Sequence, residues 1–297
     1  MKKIIAVLLI GFIAVSGWYL FLKPGDFTAK IKAKGNLGTI EQFTKNWNDN
    51  AVTTAFVLEK NNRTQIDQKY IIHDSVHLYM WNIERLNDTV SEIKVHVKDS
   101  AHSFQNRLQG LWQQTSFEKN TRQTILDYNE SLQQHLKDIT ITINGEATLP
   151  AKHYAYTEYE GLQAFKVTGM MRDITYLQNT MAGSNATLDG PPFIKITHWN
   201  RETDSIKYQF GFPIIPSDSL PQVADIKYGN TKGQQALKAT YNGNYLTSDR
   251  AWYALIDYAK TNNIKIDPRP TEIFYNNPNM GGDASNWKAE IFIPIID

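Results

Sequence analysis

Glu272 is the residue whose type and setting ask most plainly for chemistry. It lies in the run IDPRPTEIFY, a proline-led segment that reads as a short strand, and it is the only acid in the TEIFY part of it. Burying an isolated carboxylate costs several kcal/mol or drives its pKa upward, so such a group is paired, solvated at an edge or turned toward a ligand. Alternation along a strand puts Glu272 and Phe274 on one face and Ile273 and Tyr275 on the other. A carboxylate beside an aromatic ring suits an organic cation, with the ring adding about 0.5–2 kcal/mol. A paired Glu272 would instead find Arg269 or Lys195, and a desolvated one with a raised pKa could act as a general base on water. Trp252, Tyr253, Tyr176 and Trp199 complete the candidate ligand-facing set. Trp252, Leu255, Ile256 and Ala259 recur at helical spacing, the usual mark of a core stripe, which leaves Tyr253 as the more exposed of the first pair. Trp287 is expected to pack at the entrance to the last strand.

Other chemistries are excluded or disfavoured. The chain has no cysteine, so thiol catalysis, thiolate metal sites and disulfides are ruled out. His73, His77, His96 and His102 fall in or beside strand-like sequence. There, residues four apart stand about 13 Å from one another, too far to share a zinc ion. They read as polar positions on a sheet face rather than ligands. No Ser-His-Asp signature and no cofactor motif is present. With 31 basic and 30 acidic residues the formal net charge is +1, which argues against a dedicated nucleic-acid binder.

Several elements must position these residues. Lys2 and Lys3 precede an uncharged run over 4–22 that ends at Lys23, Pro24 and Gly25, with Trp18 and Tyr19 where an interfacial belt would lie. That length suits a transmembrane anchor over 1–25 with its N-terminus inside and the body outside; a cleaved signal peptide is the alternative reading. The region 26–150 reads as an α+β domain. It has a strand at 27–34, a short helix at 40–47, strands at 54–59, 66–84 (broken at Asp74-Ser75) and 90–97, helical spacing over 100–137 and alternation again at 139–143. In the helical stretch Phe104, Leu108, Leu111 and Trp112 share one face. The order faintly resembles the helix-grip fold of START and polyketide-cyclase-like proteins.

From about Tyr154 onward one pattern can be laid over itself. Strand 162–167, helix 174–181, LDGPPFIKITHW and IKYQFGFPI are followed by strand 235–241, helix 249–259, IDPRPTEIFY and WKAEIFIPI. Each copy is a β-α-β-β unit, and two copies side by side give an antiparallel sheet with two helices on one face and a groove between them. Matching Pro192 to Pro270 matches Ile194 to Glu272, so the strand does not require an acid in order to fold. Gln209 is in the same way the counterpart of Glu290, a polar strand position.

The doubled unit, the PP start of its third segment, P-x-E-I-F-Y and the final AEIFIPI resemble the gyrase-inhibitor-like (GyrI-like) small-molecule-binding domain. That domain also serves as the effector-binding domain of AraC-type and MerR-type regulators. The resemblance covers 151–297 and implies a groove for hydrophobic, often cationic compounds. It also implies that Glu272 is the acid meeting the ligand's charge. Where that family usually has a tyrosine, this chain has Phe274, with Tyr275 next to it. A membrane-anchored binding protein for amphipathic small molecules, cationic ones included, is the leading expectation. A hydrolase using Glu272 as base and a protein-partner module are the alternatives.

Overall fold

The computed structural model describes residues 2–47, 55–62, 64–72, 75–87, 90–184, 186–218 and 220–296. It divides into two compact units, Met1–Gln134 and His135–Asp297. Antiparallel sheets dominate both, giving the expected α+β architecture.

In the first unit, helix α1 (Lys2–Gly17) continues through a π-turn (Trp18–Leu22). It is followed by β1 (Phe27–Lys34), α2 (Leu37–Asn46), β2 (Ala55–Asn62), β3 (Gln65–Ile72), β4 (Ser75–Arg85), β5 (Val90–Asp99), α3 (Ser103–Gln109) and α4 (Ser116–Lys137), whose last three residues belong to the second unit. The sheet order is β1-β5-β4-β3-β2. Alternation builds it: β4 buries every second residue, Tyr79, Trp81 and Ile83 among them. The amphipathic α4 lays Phe117, Thr121, Ile125, Tyr128 and Leu132 inward, at three- and four-residue spacing. Tyr128 packs on Trp81, with ring centroids 4.4 Å apart, and its hydroxyl lies 2.6 Å from that of Thr44 on α2. His77 and His102 both approach Asp99, at 3.8 and 3.4 Å. Among the described residues no group of His, Asp or Glu could hold a metal ion. His73 lies outside them.

The second unit contains β6 (Thr140–Leu149), β7 (Lys152–Leu162), a 3-10 turn (Gln163–Phe165), α5 (Lys166–Gly183), β8 (Phe193–Asn200), β9 (Ser205–Pro213) and β10 (Lys227–Thr231). Then come β11 (Gln234–Asn242), a second 3-10 turn (Tyr245–Thr247), α6 (Arg250–Thr261), β12 (Thr271–Phe274) and β13 (Lys288–Pro294). The sheet order is β10-β7-β9-β8-β12-β13-β11-β6. One apolar core gathers Met170, Ile174, Leu177 and Met181 of α5 with Trp252, Leu255 and Ala259 of α6, over strand residues such as Ile194, Phe210 and Ile291.

The strand expected at 162–167 is not formed. β7 ends at Leu162, and the chain turns directly into α5, whose second half is the helix expected at 174–181. The reason is polar: Gln163 and Lys166 turn inward and are satisfied there, which an alternating strand would not allow.

Gly169 fixes how closely α5 approaches the sheet. A Cβ there would collide with the Tyr208 hydroxyl and come within 2.9 Å of the Tyr159 ring. Alanine gains roughly 1 kcal/mol over glycine in a helix, but overpacking costs about 1–3 kcal/mol, so Gly169→Ala is expected to be a net loss. Faster hydrogen exchange of the α5 amides is the measurement that checks it.

Candidate functional site

The site is built around β12, which places Glu272 in the middle of the sheet with no exposed surface. Directly opposite it on β8 is Ile194. The 3-10 turn before α6 and the first residues of that helix bring Ser248 over the carboxylate, and Ser248 Oγ donates to Glu272 Oε2 at 2.5 Å. At the start of α5, Lys166 is fully buried and reaches the same point. Its Nζ donates to the Tyr245 carbonyl and to Ser248 Oγ, both at 2.7 Å, and stands 3.8 Å from Glu272 Oε2. Because Ser248 accepts from the ammonium, its single proton is free for the carboxylate. Tyr208 fixes the start of α5 by donating to the Lys166 carbonyl at 2.6 Å.

Among the described residues the other carboxylate oxygen, Oε1, has no hydrogen-bond partner, and neither has the indole nitrogen of the fully buried Trp252. The Trp252 dipole still favours the ionised form of Glu272, although the two groups fall short of hydrogen-bond geometry. Burial pushes the Glu272 carboxyl above the usual carboxylate range. The Lys166 charge and the Ser248 bond oppose that rise, and the Asp249 charge adds to it.

An aromatic layer adjoins this polar centre. Trp199 of β8 meets Trp252 edge-on at 5.1 Å and Tyr253 at 5.5 Å, and its indole donates to Gln163 Oε1 at 2.8 Å. Gln163 is buried and donates to Asp249 Oδ2 at 2.5 Å. Arg201 lies over the rings of Trp199 and Tyr253, at 5.0 and 5.9 Å.

Of the residues singled out in the sequence, Glu272, Trp252, Tyr253 and Trp199 are thus tied into one network. Phe274 is buried and packs on Tyr245 at 4.8 Å. Tyr253, expected to be more exposed than Trp252, is so only marginally, at 4% against 0%, because Trp199 and Gln163 cover it. Tyr176 stands apart on the surface, where it donates to Asp225 at 2.7 Å. Trp287 packs on Tyr245 just before β13, as expected. Neither Arg269 nor Lys195 pairs with Glu272: Arg269 binds Asp267, and Lys195 is one residue out of phase with Ile194. The partner is Lys166, which sequence reasoning missed along with Ser248, Gln163 and Tyr245. The available signal was general: a buried acid needs a counter-charge.

A cleft beside the network is lined by Met170, Ile174, Phe210, Tyr245 and Phe274, among others. Its free volume is only about 10 Å³, room for about one water. A larger hollow of about 200 Å³ lies on the sheet face away from the helices, against Leu149, Phe193, Ile273 and Tyr275.

A family model described as "GyrI-like small molecule binding domain" matches residues 146–296. Among solved structures, the EcmrR C-terminal domain superposes with a TM-score of 0.45 at 12% identity, covering 54% of this chain and 98% of that one. SAV2435 bound to tetraphenylphosphonium superposes at 0.38 and 11% identity, over 52% of this chain and 94% of that one. A hydrolase from Listeria innocua superposes at 0.36 and 11% identity, over 51% and 92% respectively. No curated protein matches.

Proposed function

The chain belongs to the GyrI-like small-molecule-binding family, and from that premise we propose that it takes up amphipathic organic molecules, cationic ones included, between α5 and α6 with Glu272 beneath them. One observation carries the reading. Glu272 is a buried carboxylate with an unbonded oxygen under an aromatic layer, at a position whose counterpart is the apolar Ile194. The site is shut as it stands, so a ligand must part the aromatic layer, and its positive charge would take over the role of the Lys166 ammonium. The same reading takes this arrangement as a duplicated unit. With Pro192 matched to Pro270, the pairs Thr271 with Lys195, Glu272 with Ile194 and Ile273 with Phe193 are what a two-fold axis between β8 and β12 requires. The N-terminal helix is read as an anchor with the body outside the cytoplasm. The helix Lys2–Leu22 contains an 18-residue window with a mean hydropathy of 2.4, and it has no buried side chain.

The raised pKa of Glu272 makes the proposal testable by pH. A permanently charged aromatic cation binds the carboxylate, and a proton competes for the same group. Affinity should therefore rise as pH climbs above the ordinary carboxylate value of about 4.5, by up to about tenfold per unit until Glu272 is ionised. A neutral isostere should show no such rise. In Glu272→Gln the cation should lose about tenfold or more and its pH dependence, while the isostere is unaffected. Isothermal titration across the pH range is the measurement, and equal losses for both ligands would overturn the reading.

A further inference from the structure

The first unit carries an exposed apolar ridge beside the end of its N-terminal helix. Phe104, Leu108, Leu111 and Trp112 follow one another along α3 and the turns that continue it, and all four are exposed, Trp112 to 74%. The ridge adjoins the helix: Phe21, itself exposed, stacks on Phe104 at 5.8 Å. The junction between them is held by hydrogen bonds. Arg107, on the buried side of α3, gives Nη1 to the Tyr19 carbonyl at 3.0 Å, Nη2 to the Lys23 carbonyl at 2.7 Å and Nε to Asp26 at 2.6 Å. Ser103 and the Asp99 amide complete the hold on Asp26, at 2.6 and 2.9 Å. A guanidinium that caps the end of a helix and is itself locked by a buried carboxylate leaves no free linker between helix and body.

Resting on the anchoring reading above, we propose that this ridge lies in the interfacial layer of the bilayer the N-terminal helix enters. The first unit is then held against the membrane surface as well as tethered to it. The occupant follows from continuity. Twenty-one residues at 1.5 Å each reach about 31 Å, roughly the hydrocarbon thickness, so a helix that begins at one face ends at the other near Leu22. The clamp by Arg107 then fixes Phe104 at that same level. A short helix with one polar, satisfied side and one side of Phe, Leu and Trp is suited to the boundary between headgroups and acyl chains.

Because the chain has no cysteine, single substitutions give unique labelling sites. The full chain is placed in phosphatidylcholine and phosphatidylglycerol nanodiscs with bimane at Trp112→Cys or Leu111→Cys. Controls are Ile10→Cys within the helix and Lys69→Cys on an exposed strand position. Lipid-borne nitroxide near the headgroup is expected to quench the labels at 111 and 112 at least threefold more than the one at 69, and aqueous iodide to quench them less. If the labels at 111 and 112 behave like the one at 69 while the one at 10 is quenched by lipid, the inference fails and the anchor stands. If the label at 10 is quenched from water, both fall.

Discussion

Lys166→Met should destabilise the second unit by about 3–5 kcal/mol, the usual consequence of leaving a buried charge without its partner. Glu272 would be stranded with no exposed surface and only the Ser248 bond. The variant must also show a pH signature. Without the ammonium, the Glu272 carboxyl, already raised by burial, moves higher still. The folded state then binds a proton that the unfolded state releases at about 4.5, so folded-state stability is greatest below that pH and is lost as pH rises through the folded value. The destabilisation should therefore be smallest in acid and largest at neutral pH. Replacing both charges, Lys166→Met with Glu272→Met, removes the stranded carboxylate and should recover most of the loss. About 1–2 kcal/mol remains, because the Tyr245 carbonyl and Ser248 Oγ lose their donor. Hydrogen exchange of the β12 and β13 amides reads this unit separately from the other. A single variant as stable as the parent at neutral pH would mean that Glu272 does not depend on Lys166.

The same ion pair shows where the sequence stops being informative. Period-two alternation marked β1, β4, β5 and β11 to within a few residues, and helical spacing marked α4 and α6, because these patterns record one local face meeting one core. The internal match of Pro192 with Pro270 even placed Ile194 and Glu272 in correspondence, and the two lie opposite each other across β8 and β12. What joins Lys166 to Glu272 is different in kind. The two come together through the packing of α5 against a strand far along the chain, and no local period encodes that. The apolar residues around Lys166 imitate alternation, so the segment reads as a strand, and a lysine in such a strand would point outward. The burial of Tyr253 has a related cause. Its exposure depends on Trp199, supplied by another strand and held by a hydrogen bond to Gln163. The ridge of Phe104, Leu108, Leu111 and Trp112 is a further case. The face was legible, but its being turned outward was not.

Trp252→Ala is expected to cost about 3–5 kcal/mol, since the indole is fully buried and packed edge-on against Trp199. The more informative result is what the vacated space accepts. Removing an indole from a close-packed core leaves a hollow on the order of 100–150 Å³, large enough for a single aromatic ring when it does not collapse. This hollow would differ from an ordinary apolar cavity in having Glu272 beside it, with an oxygen already lacking a partner. Indole should then rescue the variant, raising its stability by about 2.7 kcal/mol at a concentration one hundred times its Kd. A ring of similar size bearing an ammonium group should do better than its neutral isostere at pH values where Glu272 is ionised, and should lose that advantage in acid. The parent chain, in which Trp252 fills the space, should not be stabilised by indole at the same concentration. Thermal unfolding of both proteins with and without each compound separates the possibilities. Rescue without charge preference would leave the aromatic layer as the recognition element and remove Glu272 from it, whereas preference for the cation would make the space over Glu272 a binding site in its own right.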